Sequence, residues 1–205
     1  ALKGALRAAF TNQGQVCLCG SRLLVERPIY REFVDALAAE AARMKVGDPA
    51  SPDTALGSLI STDHREKVEA YIELAKEEGG EILAGGRRPQ LGAPFDSGAF
   101  LEPTVIDGLA ASSRTSTEEI FGPVLAITTY DSEEEAIALA NDSEYGLSGG
   151  VWSSDEDRAM SVARQLRTGQ VSINGGAFNI SAPFGGYKMS GNGRELGTHG
   201  LEEFL

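Results

Sequence analysis

The feature that most constrains this chain is a hydrophobic period that keeps switching between helix-like and strand-like along its 205 residues. Such alternation predicts an α/β fold, with helices laid on a largely parallel sheet. Ala5, Leu6, Ala9 and Phe10 fall on one helical face ahead of a loop, Asn12-Gln13-Gly14-Gln15. Ser21 to Glu26 reads as a strand. Pro28 suits the first turn of the helix that follows, and Phe33, Leu37, Ala41 and Met44 mark its stripe. Ser61 to Glu78 reads as a second long helix, ended by Gly79-Gly80. Strands are expected at 81–84, 100–107 and 124–130, at a segment ending in Val151-Trp152, and at 170–174. Further helices are expected after the Ser132 cap, where three carboxylates follow in the first turn, and over 154–167. Residues 85–98 read as a solvated loop. No repeat, low-complexity tract or linker interrupts the chain, so a single domain over 1–205 is expected.

Charge narrows the partners. A net charge of −12 with no basic stripe disfavours nucleic acid and anionic membrane, both of which need clustered cations. No apolar run has the length of a membrane span, and no signal-peptide pattern opens the chain. Two cysteines are too few for a disulfide framework in a chain this size, which makes a reducing, cytoplasmic setting the expectation. The opening, Ala-Leu-Lys-Gly-Ala-Leu-Arg-Ala-Ala-Phe, lacks an initiator Met and reads as the middle of a helix, so an excised portion of a longer protein is expected.

Those two cysteines, Cys17 and Cys19, carry the chemistry worth weighing. A Cys just past a helix and before a strand sits where backbone N–H groups are free to lower a thiol pKa or stabilise an oxyanion. Alone, the pair reads equally as two small core hydrophobes. His64 and His199 show no ligand spacing with it, so no metal site is expected.

The wider motif points further. Asn12-Gln13-Gly14-Gln15-Val16-Cys17-Leu18-Cys19-Gly20-Ser21-Arg22 resembles the active-site signature of the aldehyde dehydrogenase superfamily. Leu101-Glu102-Pro103-Thr104-Val105, Glu118-Glu119-Ile120-Phe121-Gly122-Pro123-Val124, NDSEYGL at 141–147, GQVSIN at 169–174 and PFGGYKMSGNGRELG at 183–197 continue the likeness in family order. The resemblance implies a three-layer αβα catalytic domain. It makes Cys17 the nucleophile, forming a thiohemiacetal and then a thioester as an aldehyde is oxidised to an acid with NAD or NADP. The Cys17 backbone N–H would be one oxyanion donor. Glu119 matches the carboxylate that holds the nicotinamide ribose, and Phe121 the aromatic beside the nicotinamide. His64 and Lys67 match positions that touch the cofactor ribose. Val16, Leu18, Phe178 and Phe184 would wall the aldehyde pocket, and Cys19 is structural. The entrance loop 175–183 contains no charged residue, which disfavours a substrate gripped by its carboxylate. The front of the chain resembles dehydrogenases acting on ring-cleavage semialdehydes, but several of those carry an Arg in this loop, and its absence here argues against that substrate.

The resemblance also implies parts that this chain lacks: the general-base Glu, the dinucleotide-binding first domain with its oxyanion-hole Asn, and the oligomerisation strand. On this expectation the chain alone is inactive, and the parent is a homodimer or homotetramer. The alternatives are a dehydrogenase that passes its acyl group to coenzyme A, and a non-catalytic structural relative. The glycines of 185–191 do not follow Walker spacing after a strand, so a phosphate loop is rejected.

Overall fold

The computed structural model describes residues 1–205, and packing divides them into two compact units, 2–130 and 131–205. In the first, α1 (Leu2–Phe10) leads through a 3-10 turn at Thr11–Gly14 to β1 (Arg22–Glu26) and α2 (Arg27–Arg43). Next come α3 (Thr62–Glu77), β2 (Glu81–Ala84), β3 (Thr104–Asp107), α4 (Arg114–Thr117) and β4 (Val124–Tyr130). The four strands make one sheet in the order β1-β4-β3-β2, parallel except for the antiparallel edge strand β2.

Alternation along the central strands splits the core into two layers. Val105, Leu125 and Ile127 point to one face, where Ala5, Ala9 and Phe10 of α1 and Val34, Leu37 and Ala41 of α2 pack. Ile106, Val124 and Ala126 point to the other, against Val68, Ile72 and Ala75 of α3. β4 begins with four successive buried residues, the continuous apolar run of a strand covered on both faces. This is an α/β, three-layer arrangement with a mixed but mainly parallel sheet.

Several expected boundaries move for local reasons. The strand expected from Phe100 starts at Thr104, because Pro103 has no N–H to give a ladder. Phe100 and Leu101 are buried ahead of it in the core. On α2 the fully buried stripe is Val34, Leu37 and Ala41, while Phe33 and Met44 flank it half-buried. The short α4, capped by the Ser113 hydroxyl, has no hydrophobic period to announce it. The loop 85–98 is mostly exposed yet pinned: Arg88 holds Glu69 at 2.5 and 2.7 Å, and buried Arg65 donates to the Gly98 carbonyl at 2.8 Å.

The second unit contains α5 (Glu133–Asn141), β5 (Ser148–Val151), α6 (Glu156–Ala163), β6 (Gln170–Ile173) and α7 (Gly197–Glu202). β5 and β6 pair in parallel. Ser132 and Asp155 cap α5 and α6 by accepting from the N–H groups of Glu135 and Arg158. α6 is shorter than the 154–167 expected, since residues beyond Ala163 close as separate turns. No helix in the chain is long and apolar enough to cross a membrane.

Candidate active site

The turn that carries Cys17 is built by its own backbone. Asn12 and Gln13 both adopt left-handed conformations, φ 50° and 56°, and the Asn12 side chain donates to the Gln15 carbonyl. Asn tolerates that region and Gln does not, so the turn stores strain of about 1–2 kcal/mol. The Gln15 side-chain oxygen accepts from the Ile60 N–H at 3.1 Å, tying the turn to the start of α3. Cys19 N–H then closes on the Val16 carbonyl at 2.9 Å, leaving Cys17 at the corner. The Cys17 N–H takes no part in the backbone bonds that close this turn.

The two thiols differ. Cys17 is exposed, whereas Cys19 is half-buried with its sulfur 3.6 Å from the Thr11 carbonyl. Burial pushes the Cys19 thiol up, the Cys17 sulfur adds to the push, and a hydrogen bond with the Val16 backbone works against it. Val16 and Leu18 flank Cys17 half-buried.

Gly14 places this turn against the Glu118–Pro123 segment. It is buried with φ +70°, and a Cβ there would fall 2.0 Å from the Gly122 carbonyl oxygen, so only glycine fits. The contact brings the Cys17 turn and the second motif together in one unit.

Within that motif the two carboxylates part company. Glu118 is clamped: Arg114 donates two bonds to it at 2.7 and 3.1 Å, and the Tyr71 hydroxyl a third at 2.7 Å. The Arg114 guanidinium, then the Tyr71 hydroxyl, hold its carboxyl below the usual carboxylate range. Glu119 is exposed, and it is its backbone carbonyl that Lys67 Nζ reaches, at 3.2 Å. Phe121 is left-handed at φ 59°, with its ring partly exposed. His64 Nε2 lies 2.7 Å from the Phe121 carbonyl, so that nitrogen donates, and the two rings meet edge-on at 6.3 Å. His64 and Lys67 therefore meet Phe121 and Glu119 through backbone oxygens. An exposed carboxylate can accept from a pair of hydroxyls, and a partly exposed aromatic ring can meet a flat ring.

Sequence reading missed Tyr71, Arg114 and Glu118. The signal available was spacing alone, since residues 64, 67 and 71 share one face of α3.

Phe178 and Phe184 lie in the second unit and pack on each other edge to face at 5.6 Å, with Phe178 47% exposed. Asn174, also left-handed, exchanges hydrogen bonds with the Ser153 backbone at 3.0 and 2.9 Å. Lys188 Nζ donates to the carbonyls of Asn141 and Ser143 at 2.8 and 2.7 Å. That cation anchors the turn.

Comparison with known proteins accords with this arrangement. The model of the aldehyde dehydrogenase family matches residues 1–205. The betaine aldehyde dehydrogenase of Bacillus subtilis (strain 168) is 48% identical over all of this chain and 42% of its own length. A 2-aminomuconic 6-semialdehyde dehydrogenase of a Pseudomonas species is 47% identical over 98% of this chain and 41% of its own length. Among solved structures, betaine aldehyde dehydrogenase from Staphylococcus aureus in complex with NAD+ superposes with a TM-score of 0.96 at 46% identity, covering 100% of this chain and 41% of that one. The chain thus spans about two-fifths of the length of these relatives. It belongs to the aldehyde dehydrogenase family.

Proposed function

We propose that the protein carrying this chain oxidises an aldehyde to the corresponding carboxylic acid with NAD+ or NADP+, and that Cys17 is its nucleophile. The observation that carries the reading is the exposed Cys17 at a turn corner, seated through Gly14 on the segment that bears Glu119 and Phe121. The Cys17 thiolate adds to the carbonyl carbon, forming a C–S bond and an oxyanion that the Cys17 N–H can face. Oxidation of that carbon leaves a thioester on the same sulfur, and water releases the acid. A bound dinucleotide supplies the hydride acceptor. Glu119 would accept from its ribose hydroxyls and Phe121 would lie beside the nicotinamide ring.

We read 1–205 as one catalytic domain because a single family match runs unbroken across both units. Val16 and Leu18 beside Cys17 suit an aldehyde held by apolar contact; in the second unit, the loop 175–183 with Phe178, packed on Phe184 just after it, carries no cation for a carboxylate. The relatives named above give NAD+ a bound precedent and two aldehyde classes to try first.

The test is an acid quench during turnover with NAD+ or NADP+, followed by peptide mass spectrometry. An acyl adduct on Cys17, absent in Cys17→Ala together with all oxidation, is the expected result. Faster release of that adduct by coenzyme A than by water would assign the acylating variant of the chemistry. Undiminished aldehyde oxidation by Cys17→Ala would refute the proposal.

A further inference from the structure

From the face of α3 nearest the candidate site, three side chains reach the segment 118–121. Tyr71 donates to the Glu118 carboxylate at 2.7 Å, Lys67 to the Glu119 carbonyl at 3.2 Å and His64 to the Phe121 carbonyl at 2.7 Å. Positions 64, 67 and 71 rise along one helical face while their partners fall from 121 to 118, so the segment runs antiparallel to α3. Lys67 Nζ also sits 5.9 Å from the centre of the Tyr71 ring, which keeps the row together. Residues 118–121 belong to no helix or strand. Ordering such residues costs conformational entropy, and the left-handed Phe121 adds backbone strain. The three α3 bonds, with the Arg114–Glu118 pair, supply what offsets it.

We propose that His64, Lys67 and Tyr71 are positioning residues, a rack on α3 that fixes residues 118–121 so that the Glu119 carboxylate and the Phe121 ring are presented preformed to a nicotinamide dinucleotide. Tyr71 acts through Glu118 and does not touch the ligand. The identity of that ligand rests on the function proposed above; the rack itself does not. Preorganisation of this kind strengthens binding by removing the cost of ordering the segment on ligand arrival. It acts on cofactor affinity and leaves the reacting sulfur alone.

Tyr71→Phe removes one oxygen and keeps the ring, so it isolates the first bond. Hydrogen–deuterium exchange of the dinucleotide-free protein should rise in the peptides covering 116–124 and nowhere else. With NAD+ or NADP+ as the varied substrate, KM should rise about 3- to 10-fold, the net loss of one ordinary hydrogen bond felt through the segment, while kcat changes less than about twofold. His64→Leu should raise exchange in the same peptides, and His64→Gln, which keeps a donor, should restore most of it. Unchanged local exchange in Tyr71→Phe, or a rise spread across the whole chain, would overturn the rack. An unchanged dinucleotide KM in an active enzyme would equally overturn it. If the wild-type protein oxidises no aldehyde with either dinucleotide, the functional reading fails on its own. The exchange experiment still decides the rack, a rise confined to 116–124 supporting it and no rise sinking it.

Discussion

Residues 2–130 and 131–205 are held together by different means. The first unit buries Phe10, Leu37, Leu56, Ile72, Leu101, Ile106, Leu125 and Ile127 almost completely. In the second the one buried hydrophobic side chain is Ala159, and Ile180, Met189 and Leu201 are largely exposed. Its order comes from side chains that bond to backbone. Asn141 donates to the Gln165 carbonyl and accepts from the Arg167 N–H, and Ser190 accepts from the Gly146 N–H. Arg194 donates to three carbonyls, and the Arg167 and Arg194 guanidiniums lie 5.8 and 5.1 Å from the centre of the Tyr187 ring. The lesson is that a core announces itself by periodicity, whereas a polar lattice announces itself only by the identity of particular residues.

The largest effect that could break this contrast is at Gly169. A Cβ there would fall 1.5 Å from the Gly185 carbonyl oxygen, with backbone on both sides of the contact. Gly169→Ala is expected to cost about 4 kcal/mol in urea unfolding, at the upper end for one methyl group. A cost below about 1 kcal/mol would mean the loops of the second unit are not locked together as described.

Next in size is a pair of leucines. Leu37→Ala in the first core should cost about 3 kcal/mol, and half-buried Leu166→Ala in the second unit about 1 kcal/mol. Equal costs, read by chemical denaturation, would erase the distinction between a packed core and a bonded lattice.

The smallest effect sharpens the comparison by showing a polar device inside the first unit. Burial pushes the Glu78 carboxyl up, but the Thr115 hydroxyl and the N–H groups of Arg114 and Thr115 outweigh it and hold the group below its ordinary value of 4.5. The folded form is then the stronger acid, so this contribution is present above about pH 4.5 and is lost as pH falls through the lower folded value. Glu78→Gln should cost roughly 1 kcal/mol at pH 7, as a lost helix cap does. The gap from wild type should close below pH 4.5. A gap that widened in acid would reverse the assignment.

The sequence was readable where physics repeats itself. The α1 and α2 faces follow from spacing, the presence of α3 and β4 from their bounded apolar segments, and the Ser132 cap from residue type. α4 was not readable, because four residues cannot show a period and its support arrives from Glu78, 36 and 37 positions away. At the site, Cys17, Glu119 and Phe121 were named through resemblance alone. Composition could not say which member of Glu118-Glu119 is tied down, since the answer lies with Tyr71 and Arg114. His64 and Lys67 were read, through resemblance, as touching the cofactor ribose; in the structure they bond to the backbone carbonyls of Phe121 and Glu119.

The proposed chemistry turns on Cys17 being the reactive thiol, and Cys19 two residues away is its internal control. Alkylation rates of both, followed against pH and assigned by peptide mass spectrometry, test that claim directly. Cys17, exposed at the turn corner, should react the faster across the range, with half-buried Cys19 lagging because burial raises its thiol. Faster modification of Cys19 would contradict the assignment and remove the nucleophile from the proposed chemistry.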